Sequence, residues 1–309
     1  MTRPMIIDTD TASDDAVALV LALRDARVDV RAITVVSGNV PVAMGVQNAL
    51  YTRDLCGSTV PVHSGADRPL LRDHVFAHDV HGADGMGDVG LALTGRTPAA
   101  GHAVDVLIDE ARRHPGELTL VTLGPLTNLA LALRKAPDIA GLYRRVVMMA
   151  GTADGSGNVT PAAEFNVYVD PEAADIVFRS GMPLEMVGWD VSRNDATLGP
   201  ADADALAAVG PLGEFCTRIQ RRLIEFCRTV TQLEGFDLPD PVTMAVAIDP
   251  DLATRAEDRY VAVETSGAHT AGMTVVDHLG VTGREPTVRV VRAVDRDRFL
   301  AMLRAACAG

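Results

Sequence analysis

Residues 5–36 read MIIDTDTASDDAVALVLALRDARVDVRAITVV, and their rhythm decides the fold. Met5–Asp8 is a short apolar run ending in acid, Asp14–Arg24 is a helical pattern of Ala, Leu and Val, and Val30–Val36 is β-branched and strand-like. Pro41–Leu55 then reads as a helix with proline at its start. The rhythm returns at Leu118–Thr122 followed by Leu126–Leu133, and at Arg145–Met149 followed by Glu172–Phe178. Strands alternating with helices of this length predict an α/β fold: an open, mostly parallel (mixed) β-sheet flanked by helices on both faces, Rossmann-like in character.

Outward from these segments the rhythm breaks twice. Residues 64–99 are rich in Gly, His and Asp without a clear period, as in a lid or binding loop. Residues 230–240 (VTQLEGFDLPD) form another expected loop, between a helix near Pro211–Arg228 and one opening at Pro241. Strands are expected at Tyr260–Glu264 and Thr287–Val291, and a helix from Arg296. No repeat or Pro/Gly/Ser linker divides the chain, so residues 1–309 are expected to form a single domain.

Composition narrows the function classes. The chain is 48% hydrophobic and 22% charged, which excludes a disordered or low-complexity protein. A net charge of −13 and only 4% aromatic residues argue against nucleic-acid binding, either by a basic face or by a base-stacking platform. Four cysteines (Cys56, Cys216, Cys227 and Cys307), none in a C-x-x-C arrangement, are too few for a disulfide scaffold. The apolar run before Asp8 is too short for a signal peptide, and no stretch approaches the roughly 20 apolar residues of a membrane span. A cytoplasmic protein without a membrane partner is the expectation.

Asp8, Asp10, Asp14 and Asp15 place four carboxylates within eight residues, directly after the first strand. Helix capping explains part of this: Ser13 is a candidate N-cap, and acids in a first helical turn gain about 0.3–1 kcal/mol each. That account suits Asp14 and Asp15 but leaves Asp8 and Asp10, which precede the helix. In an α/β sheet ligands bind at the carboxyl ends of the strands. Like charges crowded there require protonation, an arginine partner or a metal ion. Carboxylates alone point to Ca²⁺ or Mg²⁺ rather than Zn²⁺. An EF-hand is excluded, because its sixth and twelfth positions would be Ser13 and Leu19.

Other strand exits supply further pieces. Val35-Val-Ser-Gly-Asn39 ends with a carboxamide, Gly124-Pro-Leu-Thr-Asn128 follows one strand, and Met149-Ala-Gly151 another. Each has a plain reading as turn or core; parallel strands would bring them to one edge beside Asp10. Asn158, Glu164 and Asn166 could hydrogen-bond around a polyol such as a sugar. Asp240-Pro241 reads as a helix start that could add a carboxylate.

Taken together, these residues make the chain resemble the nucleoside hydrolase family, near its inosine/uridine-preferring branch. The signature D-x-D-x-x-x-D-D appears at residues 8–15, and VVSGN, VHGADGMG, LGPLTN, AEFNVYVDPEAA, Asp240-Pro241 and GMTVVD all look like family landmarks. The likeness extends from residue 5 to about residue 300. It implies an open, mostly parallel nucleoside hydrolase fold, a homodimer or homotetramer, and Ca²⁺-dependent hydrolysis of the N-glycosidic bond of ribonucleosides to ribose and free base, in nucleoside catabolism and purine or pyrimidine salvage. Position by position, it implies Ca²⁺ ligation by Asp10, Asp15, Asp240 and the backbone carbonyl of Leu123, with Asp10 also the general base toward a calcium-bound water. Asp14, Asn39, Asn158, Glu164 and Asn166 would hold the ribose, Met149 would pack beneath it, and His81 would face the base.

The chain departs from the family pattern on the base side. A histidine usually precedes the last aspartate and is thought to protonate the leaving base; here that residue is Pro239. Leu223 and Cys227 stand where tyrosine would be unsurprising. His81 or another histidine of the 74–81 loop, Arg222, or the rings of Phe226, Phe236 or Trp189 are the remaining candidates. Two rival readings follow. Asp8-Thr-Asp10-Thr11 suggests the nucleophile element of a haloacid-dehalogenase-like phosphatase, but the only lysine is Lys135 and no late acidic pair follows. Pro239 also allows a catalytically impaired calcium-dependent nucleoside or sugar sensor.

Overall fold

The computed structural model describes residues 2–308. Its strands are β1 (Arg3–Thr9), β2 (Val28–Val35), β3 (Val62–Ser64), β4 (Thr119–Thr122), β5 (Arg145–Met149), β6 (Leu184–Val187), β7 (Thr197–Leu198), β8 (Phe236–Asp237), β9 (Ala253–Arg259), β10 (Val261–Val263), β11 (Thr274–Val276) and β12 (Val288–Val294). The helices are α1 (Ser13–Arg24), α2 (Val42–Leu55), α3 (His78–His81), α4 (Ala103–Arg113), α5 (Thr127–Lys135), α6 (Phe165–Val169), α7 (Pro171–Phe178), α8 (Trp189–Asp195), α9 (Pro200–Ala207), α10 (Pro211–Arg218), α11 (Arg221–Phe226), α12 (Pro239–Ile248) and α13 (Arg296–Cys307).

Eight strands form one open sheet in the order β3-β2-β1-β4-β5-β6-β12-β9. Neighbouring strands pair in parallel except at the β12–β9 edge, which is antiparallel. This is the mixed, mostly parallel α/β sheet expected from the alternating segments. Successive strand residues face opposite layers of apolar core. Met5, Ile7, Val121 and Val147 join the layer containing α1, α12 and α13. Ile6, Leu120, Val146 and Met148 join the layer containing α4, α5 and α7. Burial on both faces explains why these strands read as unbroken apolar runs.

The chain order reverses between β1 and β4, and their carboxyl ends therefore diverge into a crevice. Buried α12 packs against α1 beside it, with Pro239 at its first position, where a missing N–H costs nothing. Asp10 and Leu123 lie just past β1 and β4, and Asp240 lies in the first turn of α12.

Several local expectations need correction. Ala12, not Ser13, occupies the N-cap of α1, and the Asp15 carboxylate accepts the Ala12 N–H at 2.8 Å. Ser13 is instead the first helical residue. The helix expected at Pro211–Arg228 is broken into α10 and α11, followed by a π turn at Cys227–Thr231 that ends on Gln232 in a left-handed conformation. The helix expected from Pro241 begins two residues earlier, at Pro239. The strand expected at Tyr260–Glu264 is β10, which pairs with β11 outside the main sheet. Strands β6 and β9 were not anticipated. β9 is a charged edge strand (ATRAEDR), whose sequence lacks a β period.

Candidate active site

The acid-rich floor of the crevice starts at Asp8. Its carboxylate accepts Thr34 Oγ1 at 2.6 Å and Asn128 Nδ2 at 2.8 Å, and burial pushes its pKa up to about 7. Asp8 lies beneath the site and supports it. Asp10, next on the same face, accepts the Asn39 N–H on Oδ2 at 2.6 Å, while its buried Oδ1 has no partner. Two glycines leave it room: a Cβ at Gly38 would overlap Asp10 Oδ2, and one at Gly124 would lie 2.9 Å from Asp10 Oδ1. These close approaches explain the glycines at the exits of β2 and β4.

Asp15 is bound by Thr9 Oγ1 at 2.5 Å and by the Ala12 N–H. Asp14 has a buried Oδ1 without a hydrogen-bond partner, 3.7 Å from His81 Nδ1. Carboxylate oxygens of Asp14, Asp15 and Asp240 all lie within 4.8 Å of one another. Among the described residues, no Arg or Lys forms an ion pair with Asp10, Asp14, Asp15 or Asp240. Burial, joined by repulsion from neighbouring carboxylates, holds Asp10 and Asp240 well above the usual carboxylate range. Burial likewise lifts Asp14 to about 7 and Asp15 to about 6.

Such a cluster fits a hard divalent cation. Oxygens around one ion at about 2.4 Å can be no more than about 5 Å apart, and the three carboxylates satisfy that limit. The unpartnered oxygens on Asp10 and Asp14 are the kind of orphaned buried acceptor that an ion would satisfy. The acidic set could therefore hold a metal ion.

Above the floor, one cavity is lined by Asp14, Asn39, His81, Leu123, Met149, Asn158, Glu164, Asn166 and Asp240. Asp10 and Asp15 lie buried just below it. The structure thus brings all eleven sequence-selected residues to one place. Asn166 Nδ2 donates to the Leu123 carbonyl at 2.9 Å and the Met149 carbonyl at 3.1 Å. Glu164 caps α6: its oxygens accept the N–H groups of Asn166 (2.8 Å) and Gly151 (2.7 Å), and burial raises its pKa to about 7. Asn158 Oδ1 accepts the Phe165 N–H at 2.9 Å. His81 is paired through Nδ1 with Ser13 Oγ at 2.8 Å, and burial lowers its pKa to about 4, so the ring is neutral at pH 7.

The opposite wall is apolar and was less visible in the sequence. Trp189, Leu223, Phe226, Cys227 and Pro239 line it, together with Asp237. Of the candidate rings, Trp189 and Phe226 face the cavity, whereas Phe236 is buried elsewhere in the core. His74 and His78 stack on Phe76 away from the cavity lining. Arg222 lies outside as well, paired with Asp88 (3.0 Å) and Glu225 (3.3 Å). Asp237 was overlooked. Its only sequence signal was an acid inside the FDLPD loop, which gave no hint of its direction.

Comparison with known proteins agrees with this geometry. Residues 5–301 match the family described as inosine-uridine preferring nucleoside hydrolase. The chain is 40% identical over 306 residues to the pyrimidine-specific ribonucleoside hydrolase RihA of Salmonella agona (strain SL483), covering 98% of this chain and 97% of that protein. Among solved structures it is similar to the plant nucleoside hydrolase PpNRh1, with a TM-score of 0.92, 33% identity and full coverage of both chains (100% each). It is also similar to a purine-preferring ribonucleoside hydrolase from Gardnerella vaginalis, with a TM-score of 0.91, 33% identity, and coverage of 99% of this chain and 98% of the other. The chain belongs to the inosine-uridine preferring nucleoside hydrolase family and is, with it, an N-glycosyl hydrolase of ribonucleosides.

Proposed function

We propose that the protein cleaves ribonucleosides to ribose and free base in a calcium-dependent reaction, with Asp10 as general base. The observation that carries this reading is the buried acidic floor, without an Arg or Lys partner among the described residues, opening into a cavity whose amides and carboxylates suit a sugar. Asp10, Asp15, Asp240 and the Leu123 carbonyl would hold the ion, and Asp14 has a carboxylate oxygen within 4.8 Å of those of Asp15 and Asp240. When bound, calcium neutralises the carboxylates, acidifies water and grips the sugar diol.

The chain's own residues supply the rest. Asp10 Oδ1, without a hydrogen-bond partner among the described residues, accepts a proton from the attacking water. The C1′–N bond breaks through a cationic ribosyl transition state, which nearby carboxylates stabilise and which strengthens hydrogen bonds to the 2-hydroxyl. Asn39, Asn158, Glu164 and Asn166 orient the hydroxyls, and Met149 forms the surface beneath the ring. His81 faces the base as a neutral hydrogen-bonding group.

The rival readings fare less well. Asp8, the nucleophile required of a phosphatase, is fully buried and absent from the cavity lining, with Oδ1 bonded to Thr34 and Asn128, and Lys135 is paired with Asp105 on the surface. A sensor needs the ion and the sugar contacts but has no use for the unpartnered oxygen of Asp10. We extend the proposal to a cytoplasmic, single-domain chain in a homodimer or homotetramer, which sedimentation of the purified protein tests. Among the described residues no helix is long and apolar enough to cross a membrane. The decisive assay is ribose release with and without chelator. Chelator-sensitive release supports the proposal, and ligand binding without turnover overturns it in favour of the sensor.

A further inference from the structure

A departing base carries an electron pair that must be protonated or otherwise stabilised, and Pro239 can supply no proton. Outside the acidic floor, the carboxyl groups lining the cavity are Glu164 and Asp237. Both Glu164 oxygens are occupied by backbone N–H groups. Asp237 differs. Its Oδ2 accepts both Trp189 Nε1 and Ser192 Oγ, each at 2.9 Å, which fixes the carboxyl plane. Its Oδ1 has no hydrogen-bond partner among the described residues, and Asp237 lines the cavity with Trp189, Phe226 and Cys227.

We propose that Asp237, clamped by Trp189 and Ser192 in the apolar wall, is the catalytic acid that protonates the leaving base. This rests on the hydrolase reading above. As the C1′–N bond breaks, its electron pair passes to the base, and Asp237 Oδ1 gives its proton to the base atom that receives that charge. The water oxygen bonds to C1′ while Asp10 takes the water proton. Asp237 ends as a carboxylate, Asp10 ends protonated, and exchange with solvent resets both. Burial, which raises the Asp237 pKa, favours the protonated starting form.

The test compares wild type with Asp237→Asn on a panel of common ribonucleosides and on p-nitrophenyl riboside, whose leaving group needs no proton. The Asn side chain keeps an acceptor for Trp189, and Asp237→Ser is the smaller alternative should Asn not fold. The expected result is a fall in kcat on the natural nucleosides about 100-fold larger than on p-nitrophenyl riboside. Equal losses on both substrates would mark Asp237 as merely structural and overturn the proposal, as would unchanged turnover of the natural nucleosides. Independently of any variant, wild-type kcat should depend only weakly on leaving-group basicity across a riboside series, and a steep dependence overturns the assignment. If wild type releases no ribose from any substrate, the hydrolase reading itself fails, an outcome distinct from failure of Asp237 alone.

Discussion

The acidic floor and the apolar wall of the same cavity are built in opposite ways. The floor comes from strand exits and the helices that follow or flank them: Asp10 after β1, Asn39 after β2 and Leu123 after β4, with Asp14 and Asp15 in the first turn of α1 and Asp240 in the first turn of α12. The wall comes from α8, the broken α11 with its π turn, and the two-residue strand β8. A regular sheet fixes the positions of its exits through the register of its ladders. The wall's lining residues sit on short helical pieces and on the two-residue ladder of β8 with β7, apart from the main sheet. In the proposed reaction, ion and sugar chemistry fall to the floor, and base recognition to the wall.

That contrast can be broken at graded points. Asp10→Asn is expected to lower kcat roughly 10²–10⁴-fold with little change in melting temperature, because only the proton acceptor is lost; near-wild-type turnover removes Asp10 from the base role. Chelation is expected to abolish turnover, reversibly on adding calcium. The chelated protein should also melt lower at pH 8 than at pH 5. Asp14 and Asp15 have folded pKa values raised to about 7 and about 6, so their contribution favours folding at low pH and is lost as pH rises through those values. Calcium should raise the melting temperature most at pH 8. A calorimetric series showing no pH dependence without metal would contradict the floor's electrostatics.

Smaller effects come next. Gly38→Ala puts a methyl group against the Asp10 carboxylate and should cost about 10²-fold in kcat by misplacing it. Phe226→Ala removes a ring from the wall and should raise KM by roughly three- to tenfold with a smaller change in kcat. A kcat loss as large as that of Asp10→Asn would erase the distinction between floor and wall. Arg222→Ala, outside the cavity and paired with Asp88 and Glu225, should leave both parameters within about twofold.

The two halves also differed in how far the sequence revealed them. Asp8 to Asp15 are neighbours in the chain, and four like charges after an apolar run are legible as a problem needing a solution. The capping detail was not: the N-cap falls on Ala12, and Asp15, two residues beyond Ser13, reaches back to accept the Ala12 N–H. On the wall, the helical pattern of 211–228 concealed a break and a π turn, because side-chain periodicity does not record where backbone hydrogen bonds slip. Asp237 is aimed by Trp189, 48 residues away, and by Ser192, 45 residues away.

Hydrophobic periodicity and the spacing of acids were sufficient, by themselves, to predict the mostly parallel α/β sheet and the crowding of charge at its first exit, whereas the family was legible only through the resemblance of whole motifs. These are local properties, set by which faces of a strand or helix must leave water. Which carboxylate keeps an unpartnered oxygen and which acid stands beside Trp189 were decided only by folding. Each depends on contacts between segments tens of residues apart, and sequence spacing carries no record of such contacts.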